Sequence, residues 1–497
     1  MAVLSGAPEA QDLGRTRRRM TRATAAFVCA AVLYYGVLLL FSLGEPITLA
    51  FANKDAWQHL AALQALIVDP WRPANPFVAT HEASRLFGPV HVAGALAART
   101  LGLSAMGAYG LVAGFNLFAL GLGQYLFARA YFRSAWGPLA LLVAMAAGWW
   151  VSFIHTGFHS ALSLLEGAEY PATTGVALGL ILWGLTLRLL AVPRWSIIYP
   201  LLVAVMVANH PLSAGIAVVG AGCLGLLEPG TLQARLRLAV MGAAGLVLAL
   251  AWPYFNPYGE LMTAASPDWK PVLDWSPNFY SPAVLFMTLW PAAIGVFGLR
   301  RSTAAMLAIY ALIFPLGLLG SQPAHRFLMP MVLTLQIGLA ALILRFWPSP
   351  WRRVLVVAAL MSVAVQMVAG AQYVRYAAHG WQADGDLLRH ARDLKLNGVV
   401  AGDGLAAWPI VAIGVRVVAT PLPEPLVPDL PQRQRDNDAL FAPATPLAAR
   451  QAILARYGVR SLVVHTGFLH PGELQALAGF ARPAAVSGPL IRYDVAP

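Results

Sequence analysis

Read for the alternation of apolar and polar positions, the chain is a series of long apolar runs separated by short polar ones. A helix needs about 20 mostly apolar residues to cross a bilayer. By that measure helices are predicted over 24–46, 106–128, 136–154, 172–192, 195–209, 213–228, 236–255, 283–299, 303–320, 327–346 and 354–373. That makes about eleven spanning helices, those within 195–228 being short for the purpose. The segment Gly88–Gly102 is also apolar, but it reads as a helix lying along or dipping into the membrane interface. Beyond residue 373 no spanning run remains. GVVAGDG, VRVVAT and RSLVVHT read as short buried strands, and TPLAARQAILARYG as an amphipathic helix. Strands alternating with a helix predict a small α/β domain over 374–497, with Pro421–Arg433 as a proline-stiffened loop.

Composition points the same way. The 497 residues are 59% hydrophobic and 11% charged, with a mean hydropathy of +0.65. Soluble domains carry about 25% charged residues, so the chain reads as a polytopic α-helical membrane protein. The net charge of +12 does not form a nucleic-acid surface, because the arginines recur singly or in pairs between apolar runs. Cys29 and Cys223 both fall inside apolar runs, which leaves no disulfide framework and no CxxC metal motif. The first apolar run is long enough to span and is followed by no small-residue cleavage site, so it is expected to stay as a helix.

Charge sets the orientation. With the basic segment 1–23 in the cytoplasm, the alternate loops on that side hold Arg129 and Arg133, Arg188 and Arg194, Arg235 and Arg237, Arg300 and Arg301, and Arg345, Arg352 and Arg353. The transmembrane domain is then 24–373, with outer loops at about 47–105, 155–171 and 256–282. An odd number of crossings puts 374–497 outside. Alanine-rich, arginine-over-lysine usage points to a bacterial source, hence a multi-pass protein of the inner membrane with a periplasmic C-terminus.

Chemistry-bearing residues collect in the outer loops. Asp55 and His59, just beyond the first helix, share one face of a helical stretch. They read either as polar groups at headgroup level or as a carboxylate general base with a neighbouring imidazole. The second outer loop carries His155 and His159, then Glu166 and Glu169 before the Tyr170-Pro171 break. Histidines four apart with carboxylates nearby suit a divalent metal at the outer face, a polar interfacial helix, or a second carboxylate facing the first loop; no HExxH pattern is present. His210 ends a short helix. The 256–282 loop is rich in tyrosine and tryptophan, which suit both an interfacial belt and sugar stacking. His325 and Arg326 stand immediately before a late helix, on the side that disfavours positive charge. An arginine there either snorkels to headgroups or grips a phosphate with several donors.

This constellation resembles the GT-C superfamily of membrane glycosyltransferases, which includes protein O-mannosyltransferases and lipid A aminoarabinose transferases. The resemblance rests on an acidic residue just after helix one (NKDAWQHL), a second acidic outer loop, an arginine in HRFLMP heading a late helix, and an outer C-terminal domain. It departs from many members in having one acidic residue, Asp55, where they carry two adjacent ones. The resemblance implies a polyprenyl-phosphate-linked sugar as donor and a glycan, lipid or protein as acceptor. It implies catalytic roles for Asp55 and for Glu166 or Glu169, and a place for Arg326, with His325, near the donor phosphate. His59, His155, His159 and His210 are the substrate-binding residues that would tune the site. A flippase of a lipid-linked substrate and a non-catalytic scaffold of the same architecture are the competing readings.

Overall fold

The structure, a computed structural model, describes residues 8–42, 55–147, 159–259, 276–319, 321–354, most of 357–368, 386–404, 406–420, 424–467 and 471–495. It divides into two compact units. The first comprises Met1–Phe41, Gly114–Leu248 and Trp275–Gln372; the second comprises Ser42–Ala113, Ala249–Asp274 and Tyr373–Pro497.

The principal helices, in chain order, are α1 (Pro8–Ser42), α2 (Asp55–Val68), α3 (Pro89–Leu101), α4 (Ala105–Phe132), α5 (Gly137–Ala147), α6 (Ala161–Gly167), α7 (Pro171–Ala191), α8 (Ile198–Asn209), α9 (Pro211–Leu227), α10 (Leu232–Leu248), α11 (Pro282–Ala293), α12 (Arg301–Ile313) and α13 (Leu328–Phe346). Proline opens α3, α7, α9 and α11, where its missing N–H costs nothing and its fixed φ suits the first turn. Among the described residues six helices are long and apolar enough to cross a membrane: Met20–Leu40, Ala105–Phe132, Pro171–Ala191, Leu232–Ala251, Arg301–Leu319 and Ala324–Phe346. The predicted spans at 136–154, 195–209 and 213–228 correspond to the shorter apolar helices α5, α8 and α9. Residues 148–154 of the first of these, and much of 354–373, lie outside the described residues.

The first unit is packed through small residues, as helices in lipid are. A Cβ on Gly338 of α13 would lie 2.0 Å from the Gly295 carbonyl oxygen, in the 3-10 turn Ile294–Gly298 that follows α11. Along α7, Gly175 and Gly179 sit against Ser213 and Ala217 of α9, and Trp183 donates its indole N–H to the Ala217 carbonyl at 2.8 Å. Some buried polar groups pair across helices. Tyr35 donates to Gln124 at 2.9 Å, and Ser302 donates to Glu228 at 2.6 Å.

The second unit joins α2 and α3 to the C-terminal residues. Its sheet runs β2-β1-β3-β5-β4, from β1 (Val399–Gly402), β2 (Arg416–Val417), β3 (Val459–His465), β4 (Ala481–Ser487) and β5 (Leu490–Val495). The β1 pairings with β2 and β3 are parallel; β5 is antiparallel to both β3 and β4. Four helices complete it: α14 (Ala407–Ala412), α15 (Leu430–Phe441), α16 (Leu447–Tyr457) and α17 (Pro471–Ala478). The loop predicted over Pro421–Arg433 ends sooner than the prolines suggest, because Pro431 falls in the first turn of α15.

The segment between α2 and α3 is stitched to this domain. Val417 donates its N–H to the Phe77 carbonyl at 2.7 Å, and Val78 bridges Val417 in parallel, extending the β2 edge. Ser84 donates to the buried Glu424 carboxylate at 3.0 Å. One apolar core includes Trp57, Leu63, Phe87, Trp408 and Val463 and so runs through both segments.

Candidate functional site

Three of the residues singled out from the sequence line one cavity of the first unit: His159, His210 and Arg326. Its volume is about 60 Å³. Gly175, Val176, Gly179, Leu180 and Trp183 of α7 form one wall; Leu212, Ser213, Ile216 and Ala217 of α9 form another; Met329, Pro330 and Leu333 of α13 close it. The cavity is therefore a narrow apolar slot carrying a few polar groups.

Local sequence explains each placement. His159 stands immediately before Ser160, the N-cap of α6, whose hydroxyl accepts the Ser163 N–H at 3.2 Å. His210 is itself the N-cap of α9, with extended backbone and its ring nitrogen accepting the Ser213 N–H. Arg326 lies in the last turn of a short 3-10 helix, Gln322–Phe327, that runs into α13. His159 is buried, and burial pushes its imidazole down to about 4. Its Nδ1 has no hydrogen-bond partner among the described residues. A buried neutral imidazole with an unmatched nitrogen, in a cavity also lined by the exposed residue Arg326, is equipped to meet an anionic oxygen.

The remaining residues are placed elsewhere. His325 is buried against Phe279, with ring centroids 4.6 Å apart, and does not line the cavity. Glu169 is buried in the turn between α6 and α7. That turn is strapped down by residues the sequence did not flag. Asn116 donates to the Ala168 carbonyl at 2.8 Å, Thr174 donates to Asn116 at 2.6 Å, and Thr173 donates to the Gly167 carbonyl at 2.5 Å. Glu166 lies in α6, and Asp55 is the first residue of α2 in the second unit. The Asp55 and Glu166 side chains, and all of His155, lie outside the described residues. His59 is buried one turn along α2, its Nδ1 3.1 Å from His91 Nε2 of α3, with the rings stacked at 5.0 Å. Among the described residues no group of three or more His, Cys, Asp or Glu side chains is arranged to hold a metal.

Similarity to solved structures is at the level of fold. The chain is similar to the arabinofuranosyltransferase AftD from Mycobacteria, at 20% identity and a TM-score of 0.54, over 94% of this chain and 40% of that one. It is also similar to ArnT from Cupriavidus metallidurans. With the structure bound to undecaprenyl phosphate the identity is 13% and the TM-score 0.56, over 95% of this chain and 99% of that one. With the apo structure the values are 15% and 0.55, over 96% and 99%. The chain thus spans less than half the length of AftD but nearly all of ArnT. No family model matches the sequence, and no curated protein matches it either. The chain thus shares its fold with AftD and ArnT, and six of its described helices are long and apolar enough to cross a membrane.

Proposed function

We propose that this protein is a membrane glycosyltransferase that moves a sugar from a polyprenyl-phosphate donor to a glycan, lipid or protein acceptor on the outer face of a bacterial inner membrane. The observation that carries this reading is the cavity in which Arg326, His159 and His210 meet an apolar slot between α7, α9 and α13. A prenyl phosphate has the matching chemistry: an anion at one end and a flat hydrocarbon behind it. The likeness in fold to an ArnT solved with undecaprenyl phosphate supports the same ligand class.

In this reading Arg326 holds the phosphate and stabilises the charge that grows on it as it leaves. Asp55, or Glu166 or Glu169 of the second outer loop, accepts the proton of an acceptor hydroxyl. The hydroxyl oxygen bonds to the anomeric carbon, the bond from that carbon to the phosphate oxygen breaks, and polyprenyl phosphate departs with the electron pair. Single displacement inverts the anomeric centre. Eleven crossings, with the N-terminus inside and 374–497 outside, fit the distribution of arginines between loops.

The test is sugar transfer in membranes containing wild type, Asp55→Asn or Arg326→Ala, supplied with a pool of radiolabelled polyprenyl-phosphate sugars. Wild type is expected to consume one donor. Arg326→Ala should lose transfer by about 100-fold or more, and Asp55→Asn by a similar factor. Failure of wild type to consume any donor, or full activity in both variants, overturns the proposal.

A further inference from the structure

His210 is held in one tautomer by its own helix. The Ser213 backbone N–H lies 3.2 Å from His210 Nδ1, and the Ser213 hydroxyl oxygen lies 2.7 Å from the same atom. A backbone amide can only donate, so Nδ1 must be the accepting nitrogen, and in the neutral ring the proton then resides on Nε2. The Ser213 hydroxyl, facing the same unprotonated nitrogen, donates to it as well.

A second element makes this arrangement possible. At position 175 of α7, a Cβ would lie 2.2 Å from Ser213 Cβ and 2.6 Å from its hydroxyl oxygen. Only a residue without a side chain lets Ser213 stay where its N–H and hydroxyl meet the His210 ring. The seam continues down α7, where a Cβ on Gly179 would touch Ala217 at 3.2 Å and Trp183 bonds the Ala217 carbonyl. The histidine is thus backed by two packed helices, and His210 lines the cavity together with Arg326 and His159. His159 supplies an independent sign of a ligand there, since its Nδ1 is buried without a partner among the described residues.

We infer that His210 is a neutral Nε2–H hydrogen-bond donor to an anionic phosphate oxygen of the lipid-linked ligand, and that Ser213 and Gly175 are the positioning residues that fix its tautomer. This rests on the reading of the cavity as a phosphate site. It adds a directed donor to the point charge of Arg326, so the site recognises the orientation of the phosphate as well as its charge.

The test uses the full-length protein in detergent, with farnesyl phosphate as probe and dissociation constants read from tryptophan fluorescence. Asparagine at 210 keeps a helix cap but withdraws the donor from the cavity; glutamine places an amide N–H where Nε2 stands. His210→Asn is expected to bind about tenfold more weakly, and His210→Gln to stay within about threefold of wild type. Ser213→Ala and Gly175→Ala should each weaken binding by about threefold. Gly175→Ala, which displaces Ser213 and its backbone N–H, should also convert the ¹⁵N spectrum of His210 from the single Nε2–H tautomer to a mixture, whereas Ser213→Ala, which keeps that N–H, should leave it single. Equal affinity for wild type and a folded His210→Asn, or failure of His210→Gln to restore binding, overturns the donor role and leaves the phosphate site standing. A folded wild type that does not bind farnesyl phosphate overturns the phosphate site and the donor role together. A wild-type spectrum showing mixed tautomers, or an unchanged one in Gly175→Ala, overturns the lock.

Discussion

Two pairs of histidines show how burial can serve opposite ends in one chain. His59 and His91, in the second unit, are stacked and 3.1 Å apart, one ring nitrogen meeting the other. His159 and His210, in the first unit, instead line a cavity beside an arginine, one capping a helix and the other keeping a buried nitrogen unmatched. The first pair is bonded as a core network is, each ring answering the other. The second is arranged as a binding site is, His159 keeping a buried nitrogen that no described residue meets. Histidines alike in sequence are thus separated by what their nitrogens face.

The comparison can be broken most forcefully with acid. His91 is pushed by burial from the ordinary 6.5 down to about 4. A depressed value in the folded state means stability that is fully present above the ordinary value and lost as pH falls from about 6.5 through about 4. The difference is worth about 3 kcal/mol for the second unit. Thermal unfolding of the purified protein between those pH values should show it, and His91→Phe should reduce the dependence to the part contributed by His159, which burial also pushes down to about 4.

Next in size is the cost of breaking the first pair at neutral pH. His91→Leu leaves His59 without that partner in an apolar core, which should cost about 2 kcal/mol. Affinity for prenyl phosphate is expected to change by less than about twofold, since neither histidine lines the cavity. His159→Phe reverses the pattern. It removes an unmatched buried nitrogen, so stability should stay within about 0.5 kcal/mol of wild type, whereas prenyl phosphate should bind about tenfold more weakly. Parallel melting and binding curves on the two variants measure both halves of the contrast.

The smallest effect concerns the Ser84–Glu424 contact that ties the first outer segment to the C-terminal domain. Burial raises the Glu424 carboxyl above its ordinary value, against the opposing pull of Arg85 and Ser84. A raised value means stability present below the ordinary carboxylate range and lost as pH rises through the shifted one. Glu424→Gln, which mimics the protonated acid, should therefore gain up to about 1 kcal/mol at neutral pH in the same melting assay.

These residues also mark where sequence reading reaches and where it stops. The six long apolar helices were legible because each is an apolar run of about 20 residues or more, and β1 and β3 because they are short apolar runs ending at glycine or polar residues. Strand β4 was not legible. ARPAAVS carries a proline and lacks clean alternation, which an edge strand tolerates because one side of its backbone has no sheet partner. Asp55, His159, His210 and Arg326 stood out as polar residues at the ends of apolar runs. Ser213 did not, being a lone hydroxyl in an apolar helix whose role appears only once Gly175 is placed against it. His91 was hidden inside the apolar segment Gly88–Gly102, and its partner lies 32 positions away. The union of the first outer segment with the C-terminal sheet depends on contacts such as Phe77 with Val417, which carry no local signal.

The measurement that bears most directly on the account is a structure of the protein in nanodiscs with a polyprenyl phosphate bound. The account predicts phosphate density within hydrogen-bonding reach of Arg326 and of His210 Nε2, with the first isoprene unit between α7, α9 and α13. Phosphate density at any other place on the protein, with that slot empty or filled by lipid tails alone, would contradict it.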